Sequence, residues 1–172
     1  MEKAEIENTQ ATNYNKQAVY NFLKEHNIPF QVTEHPPVFT MEEMRNAGIP
    51  HTERIPVNLF LRDDKKRNYY LLTIHGDRKI NLKEFRQQFH TRALSFASEN
   101  DLQSILGLKK GAVTPFGLLN DQEHKVHFFI DQALTDGIIG IHPNDNTATV
   151  WIKTSDLLSL ITHHGNELSV IP

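Results

Sequence analysis

Gly111-Ala112-Val113-Thr114-Pro115-Phe116-Gly117-Leu118-Leu119-Asn120-Asp121 is the stretch around which the rest of the chain is read. Two glycines and a proline stand where a core segment would carry side chains. Gly111 and Gly117 can take positive φ or admit a close neighbour, while Pro115 fixes one φ and removes one N–H. This composition predicts a rigid loop that offers backbone N–H and C=O groups to a ligand. The plainer alternative is a connection between a helix and a strand.

The elements on either side are predicted from period and punctuation. Before the loop, Ser98 caps a helix over 99–106 whose acidic first turn suits its dipole, and Gly107 stops it. Further upstream, 94–97 reads as a short strand, and Asn81 caps a helix over 82–90 with Leu82, Phe85 and Phe89 facing inward. Two strand-like runs, 55–62 and 69–75, flank the charged segment 63–68 and predict an antiparallel hairpin. Its basic tip is either a phosphate contact or a solvated turn.

Nearer the start, Val19, Phe22 and Leu23 recur at helical spacing within 14–27, and Ile28-Pro29 ends that helix. A strand over 30–33 follows, and then a helix over 41–47 in which Thr40 and Glu43 have the spacing of a capping box. After the loop come strands over 125–130, 138–142 and 147–153, then a helix to His164 capped by Thr154 or Ser155, and a strand over 168–171. Helices interspersed with hairpin links predict an α+β domain on a mixed, mostly antiparallel sheet. Its extent is 14–172, behind a flexible N-terminal tail over 1–13.

Composition narrows the function. At 172 residues and 38% hydrophobic content the chain supports one core of useful size. A net charge of −3 gives no general attraction for nucleic acid, so an RNA partner would be met by a local patch or delivered by another protein. The absence of cysteine removes disulfides, thiolate catalysis and thiolate-ligated zinc. No apolar run approaches the roughly 20 residues of a membrane span, and no basic-then-apolar leader is visible, so a cytoplasmic protein is expected. Ten histidines invite a metal, yet none falls in HExxH or a comparable ligand spacing, so no metal or cofactor is expected. Phosphate-binding, dinucleotide and nucleophile-elbow signatures are also missing.

Five motifs in order carry a resemblance. They are His35-Pro36-Pro37-Val38-Phe39, Asn58-Leu59-Phe60-Leu61-Arg62-Asp63, Leu94-Ser95-Phe96-Ala97-Ser98, the 111–121 stretch, and His142-Pro143-Asn144-Asp145-Asn146-Thr147-Ala148-Thr149. The chain resembles the prolyl-tRNA editing-domain family over about residues 15–171, and is similar to its freestanding alanyl-tRNA(Pro) deacylases. That resemblance implies a sheet curled into a partial barrel with surrounding helices, and a pocket for the aminoacyl group and the terminal adenosine. It implies catalytic roles for Asn58, His142 and Gly111. Substrate contacts are implied at Val57, Ala112, Val113, Thr114, Pro115, Phe116, Gly117, Asn146 and Thr147. The partner so implied is the 3′ aminoacyl-adenosine end of a mischarged tRNA, with prolyl-tRNA synthetase or an elongation factor as a delivering protein.

One departure matters. The family carries lysine immediately before Asn-Leu-Phe-Leu, where this chain has Val57. Arg54, Arg78 and Lys79 are the basic residues that could stand in for it. Two functions follow: a trans-editing hydrolase using backbone and polar groups to orient water, or a binding module of the same fold that has lost catalysis.

Overall fold

The strands pair as two sheets. A computed structural model describes residues 14–172; the tail expected over 1–13 lies outside the described residues. The smaller sheet is antiparallel, in the order β1 (Phe30–Glu34), β7 (Ala148–Lys153), β6 (Ile138–Ile141). The larger runs β4 (Leu94–Phe96), β2 (Val57–Asp63), β3 (Tyr69–Ile74), β5 (Val126–Asp131), β8 (Leu168–Ile171). Within it β2 pairs antiparallel with β3 and β4, whereas β3–β5 and β5–β8 are parallel. The fold is therefore α+β and mixed, as expected. One continuous sheet curled into a partial barrel is not what this pairing forms.

Burial explains the apolar runs. Tyr69, Leu71, Phe128 and Ile130 face a core shared with Ile139, Ile141 and Val150 of the smaller sheet. Helices α1 (Lys16–Glu25) and α4 (Thr154–His164) close this core with Val19, Leu23, Leu157 and Ile161. The alternate residues Leu72, Ile74 and Phe129 face a second core under α3 (Leu82–Phe89). There Phe85 and Phe89 meet Phe129 edge-on at 4.9 and 4.7 Å. A strand whose two faces are both covered needs side chains without polar atoms at nearly every position.

Most boundaries follow the capping residues. Asn15 accepts from Ala18 N–H, and Asn81 from Lys83 and Glu84 N–H. Ser98 and Asp101 form a reciprocal capping box. The helix it opens is a single α turn, Glu99–Asp101, that widens into a π-helix over Leu102–Leu106 and ends at Gly107 with φ +64°. Thr40 caps α2 (Met41–Asn46), but the Glu43 carboxylate reaches one residue further back, to Phe39 N–H at 2.7 Å. In α4 the expected cap is corrected. β7 runs directly into the helix, so Lys153 occupies the boundary and Thr154 is the first helical residue. Its N–H goes to the Gly137 carbonyl.

The 111–121 stretch is also corrected in part. Pro115–Asn120 is a buried 3₁₀-helix rather than a loop with exposed backbone. Gly117 is there for packing: a Cβ would lie 2.7 Å from Leu108 Cδ1. Asp121 then anchors the entry to β5, accepting from the N–H groups of Lys125 and Val126 and from Asn166 Nδ2. The hairpin tip is set by Asp63, which accepts from Arg67 N–H and Asn68 Nδ2. That tip is at the opposite end of β2 from Val57. No helix among the described residues is long and apolar enough to cross a membrane.

Candidate active site

A cavity of about 320 Å³ opens where the start of β2, the end of β6 and the segment before α2 converge. Its apolar lining comes from Val38, Phe39, Met41, Met44, Ile55, Val57, Val113 and Ile141. Beneath it lies a small core of Val38, Met44, Ile49, Ile55 and Trp151. Trp151 pairs across the ladder with Gly140, where a Cβ would sit 2.5 Å from the indole ring. Only a residue without a side chain lets the indole lie flat there, and Gly140 is itself part of the cavity wall.

Among the polar groups, Asn58, on β2 of the larger sheet, and His142, the residue that follows β6 of the smaller one, stand in the wall. Asn58 faces Thr73 across the β2–β3 pair, and the fully buried Thr73 hydroxyl donates to Asn58 Oδ1 at 2.6 Å. This contact orients the amide through its oxygen, and Nδ2, with its two N–H donors, has no hydrogen-bond partner among the described residues. His142 is held by its Nδ1. A carbonyl can only accept, so the 2.9 Å contact with Ala148 O places the proton on Nδ1 and leaves Nε2 as an acceptor. The His142 backbone is held too, its carbonyl accepting from the buried Thr114 hydroxyl at 2.7 Å.

Burial pushes the His142 imidazole below the usual histidine value; the Ala148 carbonyl offsets part of this, and nearby His35 adds to the lowering. The ring is therefore neutral at pH 7. His35 lies 6.1 Å away between ring centroids and is fixed by the Pro36 carbonyl on Nδ1 and the Thr149 hydroxyl on Nε2. Gly111 completes the wall with φ +87°, a left-handed conformation that disfavours any side chain. A Cβ there would also meet the Phe39 ring at 2.7 Å. No group of three or more metal-ligating side chains occurs among the described residues.

Residues 35–160 match the model of the aminoacyl-tRNA editing domain. The chain belongs to the aminoacyl-tRNA editing domain family. Prolyl-tRNA editing protein ProX of Acetoanaerobium sticklandii is 43% identical over 157 residues, spanning 91% of this chain and 96% of that protein. Prolyl-tRNA synthetase associated domain-containing protein 1 of Mus musculus is 36% identical over 149 residues, 81% of this chain and 85% of that one. In fold, the chain is similar to a crystal structure described as a proposed trans-editing enzyme for prolyl tRNA synthetase, with a TM-score of 0.63 at 20% identity. That match covers 81% of this chain and 83% of the other.

In this editing domain the sequence-predicted residues divide. Val57, Asn58, Gly111, Val113 and His142 all line the cavity. Ala112, Thr114, Pro115, Phe116 and Gly117 are buried behind it, and of these Thr114 reaches the site indirectly through the His142 carbonyl. Asn146 and Thr147 shape the turn. Asn146 exchanges backbone and side-chain contacts with Val38, and Thr147 is held by Asp145 and by Lys16 Nζ.

Of the basic residues offered in place of lysine, Arg54 is occupied by the carbonyls of Ala133, Leu134, Asp136 and Ile138. Arg78 binds the buried Asp131 carboxylate and the Pro172 carbonyl. Neither these two nor Lys79 lines the cavity.

Thr73 and Gly140 escaped sequence reasoning, and His35 and Thr149 stood in two of the motifs without a role of their own. The available signal for Thr73 was a hydroxyl inside the otherwise apolar run Leu71-Leu72-Thr73-Ile74. Its test is direct: Thr73→Val should lower kcat roughly tenfold, the equivalent of one net hydrogen bond, with KM nearly constant. Thr73→Ser should restore it. Steady-state kinetics on an aminoacyl-tRNA ester reads both values.

Proposed function

We propose that the chain is a trans-editing hydrolase that deacylates mischarged tRNA, with alanyl-tRNA for proline as its substrate. The observation that supports this most is the pairing, in one largely apolar cavity, of a fixed amide donor at Asn58 and a fixed neutral acceptor at His142. Water attacks the ester carbonyl, the acyl–oxygen bond breaks, and the products are the free amino acid and the ribose hydroxyl of the tRNA. Asn58 Nδ2 donates to the oxygen that gains negative charge, at a site where its orientation needs no adjustment. His142 Nε2 accepts a hydrogen bond from the attacking water. The substrate's own terminal ribose hydroxyl assists that water and returns a proton to the leaving oxygen. Methionine, isoleucine and valine side chains fill the acyl end, so a small residue fits better than proline. One methylene is worth about 1–3 kcal/mol in such a pocket. Delivery by prolyl-tRNA synthetase is part of the proposal, on the strength of the relatives' names.

The pH profile follows from the neutral imidazole. Deacylation should stay level as pH falls through the ordinary histidine value of about 6.5 and decline only below it, where Nε2 gains a proton. Stability has the same sign. Below about 6.5 the unfolded chain binds the proton and the folded one does not, so this stability is complete above that pH and is lost as pH drops towards the lowered value. An acid limb centred at or above 6.5 would contradict the assignment.

Val57 supports a second reading, a binding module without catalysis, because it presents an apolar side chain to the cavity where the family carries a cation. A deacylation time course on alanyl-tRNA for proline separates the two, comparing the native chain, Val57→Lys and no protein. Hydrolysis by the native chain is the expected result. Hydrolysis by Val57→Lys alone would make the native chain a binding module, and silence from both would refute the deacylase.

A further inference from the structure

At the end of the β2–β3 hairpin away from Val57, a cavity of about 420 Å³ opens where β3 and β5 begin side by side. The six residues of β3 put it roughly 17 Å along the strand from the end that carries the ester cavity. Arg67 and Lys125 stand in its lining with the imidazoles of His124 and His127, and Glu167 is the one carboxylate there. Lys66 and His124, the residues just before the two cations, are both left-handed without being glycine, at φ +54°. Backbone of that kind is held by its surroundings and gathers at ligand clamps. Gly165 makes room for His124, since a Cβ there would lie 2.9 Å from the imidazole. The positive charge is not cancelled from within. Of the hairpin's two carboxylates, Asp63 is buried and taken by Arg67 N–H and Asn68 Nδ2, and Asp64 is held by Arg92. The side chains of Arg67, Tyr70 and His124 make no hydrogen bond or ion pair among the described residues. Lys125 pairs with Glu123 at 3.0 Å, but both side chains are largely exposed and such a pair is weak. His127 is held by the Ser169 hydroxyl on Nε2 and Glu167 on Nδ1, and burial pushes it below the usual histidine value against the pull of Glu167. The lasting charges are therefore Arg67 and Lys125.

We infer that this cavity binds a phosphate monoester, with Arg67 and Lys125 as its cations and the Tyr70 hydroxyl and His124 imidazole as its hydrogen-bond donors. Two permanent cations match a group that carries about −1.5 to −2 at pH 7. The guanidinium fork takes two of its oxygens at once, and the ammonium meets a third as a point charge. A carboxylate would leave one cation unanswered. Glu167 opposes the ligand, and its exposed side chain swings aside when the phosphate enters. Such a group comes from two sources, the 5′ end of an RNA or a free nucleotide, and the same contacts serve both. The site is separate from the ester cavity and does not depend on the deacylase reading. It makes the charged hairpin a phosphate contact.

The test is isothermal titration calorimetry with inorganic phosphate and with AMP, on the native chain, Arg67→Ala, Lys125→Ala, Glu167→Gln and, as a control, Lys83→Ala on α3, which is outside the lining. All four positions are exposed, so folding is expected to be unaffected. Arg67→Ala and Lys125→Ala should each weaken binding about tenfold, the range of a charge-assisted hydrogen bond. Glu167→Gln should tighten it about threefold by removing the opposing charge, and Lys83→Ala should stay within about twofold of native. Fluorescence anisotropy then separates the sources, using an RNA hairpin labelled in its loop and ending in either a 5′ monophosphate or a 5′ hydroxyl. A native preference for the phosphorylated RNA that disappears in Arg67→Ala assigns the site to an RNA end. Equal binding of the two RNAs, beside Arg67-dependent binding of AMP, assigns it to a free nucleotide. The inference is overturned if none of the phosphorylated probes binds the native chain, or if Arg67→Ala and Lys125→Ala bind them as the native chain does. No aminoacyl ester enters these readouts, so a failure of the deacylase would leave them standing.

Discussion

His142→Ala should reduce kcat/KM for deacylation by about 100-fold or more, the range of a positioned proton acceptor. The change is clean for structural reasons. The His142 backbone is anchored independently of the ring by the Thr114 hydroxyl, so the turn into β7 should keep its shape. The Ala148 carbonyl loses a donor in the process, which costs about 1–3 kcal/mol of stability and is read separately by denaturant unfolding. Since the variant lacks the ionising group, its remaining activity should also lose the acid limb of the pH profile. A variant that kept native rates would remove His142 from the chemistry.

Asn58→Asp should cost about 10²–10³-fold in kcat, comparable to the loss of an oxyanion donor elsewhere. The substitution changes little in volume and keeps an oxygen to accept from the buried Thr73 hydroxyl, so the β2–β3 pair stays satisfied. What disappears is the N–H pair, replaced by a carboxylate that repels the developing oxyanion. Single-turnover rates against saturating aminoacyl-tRNA measure the effect without interference from binding. A rate within a few fold of native would mean that Asn58 only shapes the strand.

Much of the architecture was legible because it is written locally. Asn81, Ser98 and Gly107 mark helix ends through groups within five residues of themselves, and the apolar run over 69–74 signals a strand covered on both faces. Partner choice is different. Nothing local to β5 says that it lies parallel to β3 on one side and to β8 on the other, and the division into two sheets follows from that pairing. Thr154 looked like a cap because its type suits one, but a strand running straight into the helix moves the boundary to Lys153.

The site was legible in the same uneven way. Gly111 and Gly117 are indistinguishable as letters. One has φ +87° on the cavity wall against Phe39, and the other is a packing glycine against Leu108. Asn58 and His142 came from motif resemblance, whereas Thr73, which aims the amide, is fifteen positions away in sequence and meets it only through the hairpin register. Gly140 has meaning only beside Trp151, its partner in the ladder. Arg54, offered as a free cation, is consumed by four carbonyls that no pattern in the sequence connects to it.

The proposed roles of Asn58 and His142 in deacylating small aminoacyl esters stand or fall on initial rates for alanyl- and prolyl-tRNA for proline, with the native chain and Asn58→Asp run side by side. The native chain should clear the alanyl ester about tenfold or more faster than the prolyl ester, and Asn58→Asp should clear neither appreciably above the spontaneous rate. Equal rates for native and Asn58→Asp, or no hydrolysis of either ester by the native chain, would contradict them.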